Sequence, residues 1–183
     1  MSALIKAARE PKFSAEISLV VSDEPNAPGL AAAQKAGVAA KAIDFRSLSG
    51  KKGFEAALHA HLVSNGVELV CLAGFMRILS SDFVGRWRGR ILNIHPSLLP
   101  ELRGLHTHER VLAKAQKEHG CTVHYVTAEL DAGPIIAQAR VPVFPGEDAE
   151  ALAERVLIEE HRIYPEALDV VARALRATGA PTI

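Results

Sequence analysis

The most informative stretch of the sequence is Ile91-Leu-Asn-Ile-His95, followed by the loop Pro96-Ser-Leu-Leu-Pro100. It begins as an apolar β-strand and ends in polar side chains, as strands do when a ligand binds beyond their carboxyl ends. Because side chains alternate along a strand, Asn93 and His95 lie on the same face. The prolines restrict the next loop to an extended backbone. We therefore predict a buried strand that presents an amide and an imidazole together.

Strands and helices alternate on both sides of this strand. Apolar runs bounded by turn-forming residues predict further strands over residues 16–22, 38–43, 67–73, 121–127 and 135–143. Helical spacing predicts helices over residues 28–37, 53–64 and 106–118, and from Asp148 onward, where Pro165 marks a boundary or a kink. This order predicts an α/β fold, a Rossmann-like open and mostly parallel sheet with helices on both faces. The last two strands are expected to form an antiparallel pair near the carboxyl-terminal part.

The amino terminus departs from that pattern. The chain opens in a helix-like segment, Ser2 to Arg9, with no strand before it. An open α/β sheet normally begins with a strand and a glycine-rich turn that binds phosphate. We therefore expect the first strand and its phosphate loop to be missing from this chain, and the natural protein to begin roughly ten residues earlier.

Length and charge narrow the classes of function. With 183 residues the chain is long enough for one compact domain, expected to span residues 1–183. The 21 Lys and Arg balance 21 Asp and Glu, so no general charge attracts nucleic acid or anionic lipid. The longest uncharged apolar run, Leu69 to Met76, is shorter than the ~20 residues of a membrane span. We expect a cytoplasmic protein with no nucleic-acid or membrane partner.

A third polar residue completes a candidate catalytic group. Asp131 follows the strand at residues 121–127 and can reach His95 across the sheet, orient its ring and stabilise the imidazolium form. An Asn amide and an imidazolium can both donate to a developing oxyanion, and a carboxylate can relay a proton through water. Asn93, His95 and Asp131 therefore suit acyl transfer. The alternative is that Asn93 and Asp131 cap turns and that His95 is a structural loop residue.

Covalent and metal chemistry have less support in the sequence. No Gly-x-Ser-x-Gly elbow is present, and Cys71 and Cys121 lie in predicted strands, so direct transfer to an amine fits better than an acyl-enzyme. The run His106-Thr-His108 lacks an accompanying Cys pair or His-Glu-x-x-His pattern. We predict no metal site.

Five parts of the sequence carry a resemblance to one family. They are Ala73-Gly-Phe-Met-Arg-Ile-Leu79, Asn93-Ile-His-Pro-Ser-Leu-Leu-Pro100, Gly104-Leu-His-Thr-His108, His124 and Glu129-Leu-Asp-Ala-Gly133. Nearly the whole chain resembles the phosphoribosylglycinamide formyltransferases. The resemblance implies transfer of a formyl group from 10-formyltetrahydrofolate to the amino group of glycinamide ribonucleotide in purine biosynthesis. It implies no metal, and it leaves a homodimer open as the assembly.

The resemblance also implies site residues. Asn93, His95 and Asp131 look like the catalytic group of the family, in agreement with their chemistry. The folate pocket would be formed by Met76, Arg77, Ile78, Leu79, Val84, Ile91, Asn93, Val126 and Asp131. Contacts to the ribonucleotide would come from Pro96, Gly104 and Glu160.

Two alternatives to an amine formyltransferase stay open. Formyltetrahydrofolate hydrolases resemble the chain but typically carry a second His in place of Pro96, together with a regulatory domain. Methionyl-tRNA formyltransferases carry Ala there and an additional tRNA-binding domain, so Pro96 and the run Gly104-Leu-His-Thr-His108 favour the ribonucleotide enzyme. Because members of the family begin with a strand and a Gly-x-Gly-Ser-Asn-type loop absent here, an inactive folate-binding protein is the second alternative.

Overall fold

A computed structural model describes residues 1–178 and shows the predicted alternation of strands and helices. The helices are α1 Ser2–Ala7, α2 Pro28–Lys35, α3 Gly50–Ser64, α4 Ser81–Arg86, α5 Thr107–Ala113 and α6 Ala149–Thr178, with a short 3-10 turn at Phe45–Ser47. The strands are β1 Leu19–Ser22, β2 Ala39–Ala42, β3 Val70–Leu72, β4 Ile91–His95, β5 Glu118–Tyr125 and β6 Ile135–Pro142. The described chain divides into two compact units, one of residues 1–69 and 172–178, and one of residues 70–171.

The first unit is built on a parallel strand pair. β1 and β2 run in the same direction, with Leu19 opposite Ala39 at the start of the ladder. The connecting helix α2 carries Pro28 in its first turn, where the missing N–H of proline is harmless. Gly37 follows that helix at φ +73°, a left-handed conformation that glycine adopts without strain.

The second unit contains a four-stranded sheet in the order β3-β4-β5-β6. β3 and β4 are parallel, whereas β4 with β5 and β5 with β6 are antiparallel. The hydroxyl of Tyr164 on α6 lies 2.9 Å from the carbonyl oxygen of Leu72 and 3.1 Å from that of Leu92, which attaches the helix to β3 and β4. Fully buried apolar side chains fill this unit, among them Trp87, Ile91, Leu92, Val123 and Leu152. The predicted α/β class and the antiparallel pair near the carboxyl-terminal part are confirmed.

The structure differs from the predicted elements at three places. Helix α4 was not predicted, and it begins where the Ser80 hydroxyl accepts the N–H of Phe83 at 3.1 Å. Helix α6 continues through Pro165, so the predicted boundary is wrong, while the alternative of a kink stays a prediction. Buried side chains on either side of Pro165 stabilise the continuous helix. Helix α5 ends at Ala113, since Ala115 at φ +48° turns the chain toward β5. His119, which directly follows the helix predicted over residues 106–118, therefore lies buried in β5.

No helix within residues 1–178 combines the length and the apolar composition that crossing a membrane requires.

Candidate functional site

Strand pairing brings the candidate site together at the end of β4. β4 and β5 are antiparallel, with Asn93 opposite His124 and His95 opposite Thr122. Opposed residues of an antiparallel pair point to the same face of the sheet, so these four side chains form one patch. The loop after β5 then returns Asp131 to that patch, as predicted. The three residues predicted to act together are therefore brought together.

His95 is held between two acceptors. Its Nε2 lies 2.8 Å from the carbonyl oxygen of Leu102, and because a carbonyl only accepts, Nε2 carries a proton and donates it. Its Nδ1 lies 3.5 Å from Oδ2 of Asp131, and both side chains are 8% exposed. The ring can therefore donate toward the carboxylate when Nδ1 is also protonated. The predicted contact across the sheet between His95 and Asp131 is confirmed.

The conformation of Asp131 is supported by the chain on both sides. Its backbone has φ +49°, in the left-handed region that residues with a Cβ seldom adopt. Oδ2 of its carboxylate accepts the backbone N–H of Gly104 at 2.9 Å. Gly133 packs directly on the carbonyl oxygen of Tyr125, and a Cβ at this glycine would overlap that oxygen. This close approach holds the loop against the end of β5.

The loop between β4 and α5 is closed by side-chain hydrogen bonds to its own backbone. The Ser97 hydroxyl donates to the Leu102 carbonyl at 2.6 Å, and the Thr107 hydroxyl donates to the Pro96 carbonyl at 2.7 Å. Arg110 donates to the carbonyl of Arg103 at 2.6 Å. These bonds place the Leu102 carbonyl oxygen where it can accept the Nε2–H of His95. The loop was predicted to be extended because of its prolines, but it bends and turns over residues 96–102, and the Ser97 N–H bonds the His95 carbonyl at 2.8 Å. This folded loop is a supporting element of the site.

His124 is a member of the site for which the sequence suggested no role. Its Nε2 lies 3.3 Å from Nδ2 of Asn93, and its Nδ1 lies 2.9 Å from the carbonyl oxygen of Tyr125. Its Nε2 also lies 3.8 Å from Oδ1 of Asp131. Burial lowers the pKa of His124, against the opposing effects of the Tyr125 carbonyl and Asp131. A histidine at the end of a strand was visible in the sequence, but its pairing with Asn93 depends on the register of β4 and β5.

The predicted folate-binding residues divide into exposed and buried sets. Met76 is 74% exposed and Ile78 is 65% exposed, which provides apolar surface for a ligand. Arg77 is exposed beside them. The side chains of Leu79, Val84 and Ile91 are buried in the core, so their predicted contacts would involve backbone atoms. The N–H of Val126 donates to the Ile91 carbonyl at 2.9 Å, which joins the loop after β5 to β4.

The three residues predicted to contact a ribonucleotide have different surroundings. Pro96 directly follows His95, and its carbonyl is bound by Thr107. Gly104 donates its N–H to Asp131, as described above. Glu160 lies half-buried on α6, and burial raises the pKa of its carboxyl. It also helps to raise the pKa of the Cys121 thiol to about 12, behind burial as the main cause. Contact of these residues with a ligand stays a prediction.

The histidines outside the patch form no metal centre within residues 1–178. No group of three or more His, Cys, Asp or Glu side chains in this part of the chain could hold an ion. His108 and the buried His119 face each other, with His108 Nδ1 3.0 Å from His119 Nε2. His106 lies exposed, 3.6 Å from Glu109. His106 and His108 thus have separate partners.

The sequence matches known proteins along most of its length. A family model described as formyl transferase matches residues 1–168. The trifunctional purine biosynthetic protein adenosine-3 of Gallus gallus is 48% identical over 172 residues, which cover 94% of this chain and 17% of that protein. The phosphoribosylglycinamide formyltransferase of Escherichia coli K12 is 42% identical over 165 residues, which cover 90% of this chain and 78% of that protein.

A solved structure shows the same similarity in three dimensions. The phosphoribosylglycinamide formyltransferase from Brucella melitensis is 52% identical to this chain and superposes with a TM-score of 0.90. The superposition covers 94% of this chain and 88% of that one. By contrast, the chain spans only 17% of the length of the trifunctional relative from Gallus gallus.

Proposed function

The chain belongs to the formyl transferase family, and on that premise we propose that it transfers the formyl group of 10-formyltetrahydrofolate to the amino group of glycinamide ribonucleotide. The names of its relatives support this choice of acceptor. The observation that carries the proposal is the convergence of Asn93, His95 and Asp131 on one patch at the end of β4. An amide, an imidazole and a carboxylate are the groups that direct acyl transfer to an amine needs.

The reaction follows from the donors and acceptors of this patch. The amine attacks the formyl carbon, a C–N bond forms, and the carbonyl oxygen becomes an oxyanion. The Asn93 amide donates to that oxyanion, and so does Nδ1–H of the protonated His95 ring, because the Nε2–H of that ring is bound by the Leu102 carbonyl. Asp131 accepts, through water, the proton that the attacking nitrogen loses, and returns that proton through water to the folate nitrogen as the original C–N bond breaks. The products are the formylated ribonucleotide and tetrahydrofolate.

The remaining assignments stay predictions within this proposal. Met76, Ile78 and the backbone around Ile91 and Val126 would contact the folate. Pro96, Gly104 and Glu160 would contact the ribonucleotide. The span of one domain over residues 1–183, a cytoplasmic location, and a homodimer as the assembly also stay predictions.

The decisive experiment measures loss of the formyl group from a 10-formyl folate with and without glycinamide ribonucleotide. We expect turnover that requires the ribonucleotide and yields its formylated product. Formate release without amine would replace the proposal with a hydrolase. Folate binding without turnover, or ribonucleotide binding that is absent, would support the inactive folate-binding alternative. Asn93→Ala serves as the low-activity control, because loss of one oxyanion donor lowers kcat by about 100- to 1000-fold.

A further inference from the structure

We propose that His124 is a positioning residue that fixes the orientation of the Asn93 amide toward the reacting oxygen. This inference rests on the proposed function, in which Asn93 donates to the oxyanion. The two residues are direct partners across the antiparallel pair of β4 and β5. Nδ2 of Asn93 lies 3.3 Å from Nε2 of His124, within hydrogen-bond distance.

The hydrogen bonds of His124 determine which nitrogen carries its proton. Nδ1 lies 2.9 Å from the Tyr125 carbonyl oxygen, which only accepts, so Nδ1 is the protonated nitrogen. In a neutral ring Nε2 then has a lone pair and accepts. The Asn93 group that faces Nε2 must therefore be the NH₂ end of the amide and not its oxygen. The ring thus selects one of the two orientations of the amide.

The surroundings of His124 keep its ring neutral. The residue is 2% exposed, and burial lowers its pKa, an effect to which His95 adds. The Tyr125 carbonyl and the Asp131 carboxylate oppose that shift. Oδ1 of Asp131 is 3.8 Å from Nε2, beyond hydrogen-bond length, so Asn93 is the partner of Nε2 in the neutral ring. A second proton on the ring would turn Nε2 into a donor and remove the acceptor that Asn93 needs.

As a consequence, the Asn93 amide is held in one orientation, with its NH₂ group available as a donor. One Nδ2 hydrogen is bound by His124, which leaves the second hydrogen free to donate to the oxyanion. Without the acceptor at His124, the amide can rotate by a half-turn and present its oxygen to the developing negative charge. Transition-state stabilisation is then lost while binding of both substrates is retained, because this donation gains its strength only as negative charge develops on the oxygen.

Two substitutions at His124 separate this role from a structural one. In His124→Gln the side-chain oxygen can reach the position of Nε2 and accept from Asn93. In His124→Asn the shorter amide reaches only the position of Nδ1, so it retains the Tyr125 bond and lacks the acceptor. We expect kcat to fall roughly 10- to 100-fold in His124→Asn with KM values near those of the unchanged protein, and to fall only a few-fold in His124→Gln. Melting curves of both variants establish that they are folded.

A double-mutant cycle tests whether His124 acts through Asn93. In an Asn93→Ala background, His124→Asn should lower kcat less than about 3-fold, because the group it orients is gone. An equal loss in both backgrounds would overturn the proposal, as would an unchanged kcat in His124→Asn. The proposal would also be overturned if kcat in His124→Gln were as low as in His124→Asn.

Nitrogen NMR of the imidazole rings provides a measurement that needs no folded variant of His124. In the unchanged protein at neutral pH, we expect the His124 signals of a ring protonated at Nδ1 only, and the Nε2 signal should shift in Asn93→Ala. A ring protonated at Nε2 would overturn the proposal. If the unchanged protein transfers no formyl group, the proposed function fails, whereas this spectrum still decides the arrangement of His124 and Asn93.

Discussion

The backbone N–H of Gly104 donates to Oδ2 of Asp131 across 2.9 Å, and this bond joins the loop after β4 to the loop after β5. Oδ2 is the same oxygen that faces Nδ1 of His95. Gly104 can present its N–H there because it has φ +79°, a conformation that favours glycine. The orientation of the Asp131 carboxylate therefore depends on the backbone of a residue far from it in sequence.

Replacement of this glycine is expected to lower activity more than stability. Gly104→Ala meets no atom within 4 Å of the new Cβ. The left-handed backbone nevertheless costs about 1–2 kcal/mol, and relief of that strain moves the N–H away from Asp131. We expect kcat to fall at least ~10-fold, as for a weakened charge-assisted hydrogen bond.

Gly146→Ala is the matched control, because Gly146 also has φ +79° and open space around its Cβ. The free energy of unfolding of Gly146→Ala, measured with urea, should fall by the same amount as that of Gly104→Ala. Its kcat should stay unchanged. Equal losses of kcat in both variants would show that Gly104 matters only through stability.

We expect kcat to depend on the negative charge of Asp131 and not only on the size and shape of its side chain. Asp131→Asn retains the size of the side chain but removes the charge that faces His95 and weakens its capacity to accept a proton. We expect kcat to fall about 1000-fold or more, with folate affinity within a few-fold of normal. Steady-state kinetics and a folate titration measure the two quantities. Glu129→Gln, in the same loop but 73% exposed and paired with Arg103, should leave kcat nearly unchanged. Near-normal turnover in Asp131→Asn would refute the assigned role.

The packing of Gly133 against Tyr125 predicts a loss of stability. A Cβ at residue 133 would overlap the Tyr125 carbonyl oxygen, so Gly133→Ala must displace the loop that carries Asp131. Overpacking of this kind lowers the free energy of unfolding by about 1–3 kcal/mol, and the displaced carboxylate should lower kcat as well. Gly85→Ala provides the comparison, because its Cβ meets no atom within 4 Å and helix α4 gains a better helix former. Urea unfolding of the two variants should give changes of opposite sign.

The pair formed by the half-buried His108 and the buried His119 predicts how the free energy of unfolding depends on pH. Burial, with a further effect from His108, lowers the pKa of His119 from 6.5 to about 4. Between these values the unfolded chain binds more protons than the folded one, so stability is full above about pH 6.5 and decreases as the pH falls toward 4. The loss from this residue is on the order of 3 kcal/mol.

His119→Gln removes that titration and retains a polar partner for His108. The slope of unfolding free energy against pH should become shallower in this variant, with a remainder from His108 and His124, whose pKa values are also lowered by burial. An unchanged slope between pH 6.5 and 4 would contradict the prediction.

Local patterns in the sequence were sufficient to predict much of the fold and to identify the central residues of the site. Apolar runs and turn residues located every strand, because strand formation follows from side-chain alternation and burial. The polar end of β4 and the loop after β5 identified Asn93, His95 and Asp131. The end of helix α5 and the start of β5 were misplaced, because the left-handed turn at Ala115 has no glycine to mark it.

The tertiary structure decided how these residues act on one another. The opposition of Asn93 and His124 depends on the register of β4 and β5, and the bond from Gly104 to Asp131 depends on two loops that meet in space. Both contacts join segments far apart in the chain, so no local spacing records them. Alternation along one strand determines which face a side chain occupies, whereas register and loop packing determine which polar atoms come within hydrogen-bond distance.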